Sequence, residues 1–228
     1  MLGFPTTSWS LLAEATLHGD AAASAALGQF YHRYHAAVES AARSRGMNAE
    51  DARDITQAFF VQLMEQGALR RAVREKGRFR SYLGAALRHF MADQFDRANA
   101  AKRGGGVVTL SLDGADCPEP AGCDTETHQF DRAWALAILQ RALAAVEAER
   151  PAAVFAVVRR FLPGSGSVPS SAEAAAAAGM SETALRTEVS RVRQRLRARV
   201  REEVGRTVSA PHEIDEEMAY LFAVLARE

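Results

Sequence analysis

Asp51, Asp54 and Gln57 recur at three-residue steps in the run Asp51-Ala52-Arg53-Asp54-Ile55-Thr56-Gln57-Ala58-Phe59-Phe60. If Ile55, Phe59 and Phe60 form the apolar face of a helix, these three share the other side, with Asp54 and Gln57 as neighbours. Paired carboxylates are raw material for acid–base chemistry. No nucleophile, histidine partner or metal-ligand spacing accompanies them, so an exposed protein-docking face is the better reading. The rest of the chain offers no enzyme signature either. There is no Gly-x4-Gly-Lys, no His-Glu-x-x-His, and no Ser or Cys in a nucleophile context. Gly104-Gly105-Gly106 is too short and isolated to cradle a phosphate. His32 and His35 form a helix-spaced pair that reads as surface or core. Cys117, Cys123 and His128 give C-x5-C-x4-H, poorly spaced for a metal. Reduced thiols in a cytoplasmic protein are the plain reading, and neither metal nor cofactor is expected.

The cations point to a different chemistry. The 228 residues carry 28 Lys and Arg against 28 Asp and Glu, a balance that says nothing about a polyanionic partner. Their distribution does. Basic residues crowd Arg70 to Arg103, and Arg crowds 186–201. Residues 104–131 hold no Lys or Arg but six carboxylates, ending at Asp131. Two basic blocks on either side of an acidic one suggest two anion-binding surfaces.

The elements that must carry these charges read as helices. Phe30, Tyr31, Tyr34 and Val38 recur at helical spacing, as do Ile55, Phe59 and Leu63. A third stripe is Phe79, Tyr82, Leu83, Ala86, Leu87, Phe90 and Met91. Asn48 can cap the second helix. Glycine and proline then interrupt the pattern, and a linker is expected over 104–130. Trp134, Ile138, Ala142 and Val146 open a second helical set, followed by Val154, Phe155, Val158, Phe161 and Leu162. A short Ala-rich helix capped by Ser170 or Ser171 ends at Gly179, and Ser181 caps a long helix with Leu185, Val189, Val192, Leu196 and Val200 on one face. No apolar run approaches the ~20 residues that span a bilayer, so membrane insertion is not expected.

Residues 170–203 read as a helix-turn-helix. With Leu185, Val189, Val192 and Leu196 inward, the opposite face presents Thr183, Arg186, Thr187, Ser190 and Arg191 to base edges in a major groove. Arg193, Arg195, Arg197, Arg199 and Arg201 flank it, suited to phosphates. The competing reading is a solvated basic helix in a bundle. In the first domain Phe79, Tyr82, Phe90 and Phe95 lie among Arg78, Arg80, Arg88 and Arg97. Aromatics interleaved with cations suit an exposed strand of opened DNA. Phe79, Leu83 and Phe90 are expected in the core, and Arg80, Tyr82, His89 and Arg97 toward DNA, with Lys102 and Arg103 on backbone phosphate.

These segments resemble, in order, the sigma-70 family of RNA polymerase sigma factors, in its extracytoplasmic-function (ECF) type. Residues 51–60 look like the helix that grips core polymerase, Gly77–Leu83 with Leu87-Arg88-His89-Phe90 and Asp93 and Arg97 like the melting and −10-reading helix, and 170–203 like the −35-reading domain. Tyr82 and His89 stand where many relatives have Trp and Asn. The resemblance implies an all-α protein of two small helical domains on a flexible linker. Its expected organisation is a lead-in at 1–22, domain 2 at 23–103, the linker at 104–130, domain 4 at 131–205 and a C-terminal helical extension at 206–228. It implies binding to the β′ clamp helices and β flap of core RNA polymerase, with Asp51, Arg53, Asp54 and Gln57 at the first of these. It also implies binding to promoter DNA and help in opening it, with Arg78 and Arg88 added to the −10 set. Control would come from an anti-sigma factor or from the extension itself. The alternative is a stand-alone helix-turn-helix regulator, which leaves 51–60 unexplained.

The extension reads as an amphipathic helix over 212–226, with Ile214, Met218, Leu221, Phe222 and Leu225 on one side and acidic residues elsewhere. Such a stripe must dock on something. Two seats are open: the adjacent second domain, whose core it would complete, or a place where it joins the domains and covers basic surface.

Overall fold

A computed structural model describes residues 21–65, 78–102, 124–164, 166 and 168–227. Every regular element among them is an α-helix: α1 (Ala21–Ser44), α2 (Ala49–Glu65), α3 (Phe79–Lys102), α4 (Asp124–Ala148), α5 (Ala152–Arg159), α6 (Ser171–Ala177), α7 (Glu182–Gly205) and α8 (Glu213–Ala226). The chain divides into two compact units. Unit 1 is Met1–Ala137 together with Gly205–Glu228, and unit 2 is Ile138–Val204.

Unit 1 is organised around aromatic rings. Asn48 starts α2 as its sequence position suggests: its Oδ1 accepts from the backbone N–H of Glu50 and Asp51, each at 2.9 Å. Phe30 of α1 meets Phe60 edge-on at 5.6 Å and Phe79 at 5.7 Å. Phe59 and Phe90 are 5.5 Å apart. Trp134 of α4 stacks on Tyr34 at 4.5 Å and reaches Phe79 at 6.1 Å. Aromatic pairs in these geometries contribute ~0.5–1.5 kcal/mol each beyond the area they bury.

The described residues differ from the expected layout at the start of α4. Residues 124–130 are helical rather than linker, the first two turns of α4, while 104–123 lie outside the described residues. Phe130, four residues before Trp134, extends the apolar stripe by one turn and is buried, so helix persists where composition suggested solvated chain. Residues 131–137 belong to unit 1, and so does the C-terminal extension.

In unit 2 Ile138, Val146, Phe155, Val158, Leu185, Val192 and Val204 are buried, from α4, α5 and α7. The short α6 is capped as the sequence suggests, Ser170 Oγ accepting from the Glu173 N–H at 3.3 Å. Gly179 adopts φ +65, the left-handed turn that ends the helix, and the Met180 N–H returns to the Ala175 carbonyl at 3.0 Å. Ser181 Oγ then accepts from the Ala184 N–H at 3.2 Å, starting α7. Glu149, after α4, accepts from Arg195 at 2.8 Å and from Arg199, which hold its carboxyl down at about 2. Those two arginines, read from sequence as phosphate contacts, are thus engaged within unit 2.

Candidate nucleic-acid interface

The helix-turn-helix face is built by the turn just described. Leu185, Val189, Val192 and Leu196 point into unit 2. Thr183, Arg186, Thr187, Ser190, Arg191, Arg193 and Arg197 are all exposed. Local contacts hold several of them in place. Arg186 pairs with Glu182 one turn back at 3.2 Å, Thr187 Oγ1 donates to the Thr183 carbonyl, and Arg193 donates to the Phe161 carbonyl at 2.7 Å. Arg191 stays largely in solvent, its guanidinium 3.9 Å from Glu188. Side chains with donors therefore line one face of α7 from its first turn, the end of a helix that enters a major groove.

In unit 1 the outward face of α2 carries Asp51, Arg53, Asp54 and Gln57, all exposed. Phe59, Phe60 and Leu63 are buried behind them, while Ile55 is only half-buried and Thr56 takes the inner position, its hydroxyl donating to the Ala52 carbonyl at 2.7 Å. On α3, His89 and Arg97 are exposed, and Tyr82 and Arg88 half-buried, with Arg88 at 3.4 Å from Thr127 Oγ1. Phe79, Leu83 and Phe90 are in the core as expected. Phe95 is 67% exposed, a large aromatic surface on the same helix. Lys102 ends α3, but its side chain and all of Arg103 lie outside the described residues.

Arg80 is the correction within the site. It does not face solvent. It is 6% exposed, and its guanidinium donates to Asp131 of α4 at 2.6 Å and to Glu217 of α8 at 2.8 Å. It also lies 4.2 Å over the Tyr220 ring. Burial alone would lower its pKa; the hydrogen bond to Glu217 and the charges of both carboxylates outweigh that and raise it. The Tyr220 hydroxyl donates to the other Asp131 oxygen, and burial with that bond pushes its pKa up. Arg78, next to it and partly exposed, pairs with Glu216 at 2.7 Å and approaches Glu217 at 3.5 Å. Sequence reading missed this cluster because three of its members, Asp131, Glu217 and Tyr220, come from segments assigned elsewhere.

The comparisons decide the class. A family model described as ECF sigma factor matches residues 7–202. The chain belongs to the ECF sigma factor family. No curated protein and no solved structure matches it. As a member of that family, this sigma factor is a regulatory transcription initiation factor that serves promoter-specific transcription, with core RNA polymerase and promoter DNA as its partners. The matched span takes in α2, α3 and the helix-turn-helix together, which a stand-alone regulator built on the last motif alone would not explain. Among the described residues, no helix is long and apolar enough to cross a membrane, and no cluster of His, Cys, Asp and Glu is disposed to hold a metal. Cys117 and Cys123 lie outside those residues.

Proposed function

We propose that this sigma factor recruits core polymerase through the outer face of α2 and reads its promoter through two separate helices. In this reading α7 enters the major groove of the −35 element, with Thr183, Arg186, Thr187, Ser190 and Arg191 at base edges and Arg193 and Arg197 at phosphates. The half-exposed Tyr82 with Arg88, His89 and Arg97 on α3 meets the −10 element, and Arg78 joins them when it is free. Lys102 and Arg103 follow on the backbone. Unpairing bases costs a few kcal/mol each, and an aromatic beside cations lowers that cost by stacking and charge neutralisation, so α3 assists promoter opening. Asp51, Arg53, Asp54 and Gln57 engage the β′ clamp helices, and unit 2 engages the β flap.

The observation that carries this reading is the sorting of α7. Its apolar residues are buried, while the donor-bearing ones are all exposed at its first turns. Run-off transcription from a genomic fragment library tests it. Transcripts from discrete promoters are expected only when the sigma factor and core polymerase are both present; factor-independent or promoter-independent transcription refutes it.

Two substitution sets follow. Asp54→Ala with Gln57→Ala is expected to abolish polymerase pull-down while moving unfolding by less than ~0.5 kcal/mol, since both side chains are exposed. On α7, Arg186→Ala or Arg191→Ala is expected to relax −35 sequence preference at ~1–3 kcal/mol each. Arg197→Ala should weaken binding evenly across sequences and reduce the salt slope by about one unit. Equal, uniform losses in all three would mean the faces of α7 are wrongly sorted.

A further inference from the structure

From Thr183 to Arg197 the sequence of α7 is rich in arginine and holds a single carboxylate, Glu188. It lies one turn after Ala184 and one turn before Arg191, beside Thr187. These residues border an open groove with Pro151 and Val154 from the start of α5. Glu188 is half-buried, and Arg150, just after α4, donates through Nε to its Oε1 at 3.0 Å. Its Oε2 lies toward Arg191, 3.9 Å from Nη1. The Arg191 side chain is 70% exposed and the Glu188 side chain 22%. A carboxylate in this place repels any phosphate that approaches, so it weakens contact with DNA in general. It favours binding only where the DNA offers it a donor.

We propose that Glu188 and Arg191 read one G·C base pair of the −35 element as a unit. Arg191 donates to the guanine, and Glu188 accepts from the amine of the paired cytosine. The proposal rests on the reading of α7 as the −35 helix, and it adds to that reading a residue and a base pair.

The chemistry of the major groove makes the choice. Only two donors are exposed there, the adenine N6 amine and the cytosine N4 amine. The adenine amine lies between two acceptors, its own N7 and the thymine O4, and both repel a carboxylate. The cytosine amine has one acceptor beside it, guanine O6, and that oxygen with guanine N7 is what an arginine fork takes. A donor and an acceptor side by side on α7 thus meet an acceptor and a donor side by side on one pair. Arg150 contributes by fixing the carboxylate before DNA arrives. It occupies Oε1 and turns Oε2 toward Arg191, so little side-chain entropy is lost on binding.

Holoenzymes made with the full chain, Glu188→Ala, Glu188→Gln and Arg191→Ala provide the test. Each is titrated on promoter fragments recovered by run-off transcription, with every −35 base pair varied in turn. The full chain is expected to prefer G·C at one pair about tenfold over the alternatives, a difference of about 1.4 kcal/mol. Glu188→Ala and Arg191→Ala should both lose that preference, at the same pair and at no other. Affinity then separates the two. Glu188→Ala should bind promoters altered at that pair more tightly than the full chain does, having no carboxylate to strand, whereas Arg191→Ala should bind them more weakly. Glu188→Gln still accepts from Arg150 and should admit A·T at that pair, since an amide both donates to and accepts from adenine. A Glu188→Ala profile that matches the full chain, or is relaxed equally at every pair, refutes the reader and leaves the assignment of α7 standing. If circular dichroism shows both Glu188 variants unfolded, the residue is a structural partner of Arg150, which also refutes the reader. A full chain with no preference at any −35 pair overturns the assignment of α7 itself, and the reader with it.

Discussion

Arg80→Ala is expected to destabilise the protein by about 3–5 kcal/mol, the largest effect expected of any single charge among the described residues. The substitution leaves Asp131 and Glu217, each 1% exposed, facing one another with their shared cation removed. Removing one partner of a buried ion pair strands uncompensated charge, and the usual loss lies in that range. Arg78 approaches Glu217 at 3.5 Å but is itself drawn to the solvent-exposed Glu216, so it is a poor substitute. Tyr220 would keep its bond to Asp131 and lose the cation over its ring. Urea unfolding followed by tryptophan fluorescence measures the loss. Adding Asp131→Asn and Glu217→Gln to Arg80→Ala removes the stranded charges, and should recover a substantial part of it. A loss below ~1 kcal/mol for Arg80→Ala would show that the buried cluster contributes little to unit 1.

Trp134→Ala is expected to cost a similar amount, about 3–5 kcal/mol, for a wholly different reason. Trp134 is 1% exposed and its ring contacts Tyr34, Phe79 and Phe130, so its loss opens a cavity at the meeting point of α1, α3 and α4. Its indole Nε1 is buried with no hydrogen-bond partner among the described residues. Trp134→Phe should therefore be much milder than alanine. It keeps most of the stack on Tyr34 and forfeits no hydrogen bond, while relieving an unsatisfied donor that costs ~1–3 kcal/mol. Thermal melts of the two variants side by side check this; a phenylalanine variant as unstable as the alanine one would mean that the nitrogen is satisfied in solution.

What could be read from sequence follows from the range of each interaction. Asn48, Ser170, Gly179 and Ser181 act on residues within a few positions, and the helix starts and the turn at Gly179 come out where their chemistry puts them. The inner faces of α2, α3 and α7 follow from 3.6-residue periodicity, as Phe59, Leu83 and Val192 illustrate. Arg80 shows where such reasoning stops. A cation beside other cations and aromatics reads as solvent-facing, and only partners 51 and 137 residues away turn it inward. The same long-range pairing rotates the buried face of α8, drawing in Glu217 at the expense of Phe222, which is exposed. Phe130 is a milder case: glycine and proline just before it masked a stripe that begins one turn earlier than composition indicates.

The order of segments in unit 1 also bears on how the protein is made. Gly205–Glu228 rejoins a body whose other part ends at Ala137, so all of unit 2 is translated between them. At ordinary rates of synthesis that interval lasts on the order of ten seconds. Throughout it Arg80 has Asp131 but not Glu217, and the seat of Ile214, Met218, Leu221 and Val224 is open to whatever else the ribosome exit and its neighbours present. The first unit begun is thus the last one finished, and a nascent chain cut short anywhere before residue 217 carries the basic start of α3 without the helix that covers it.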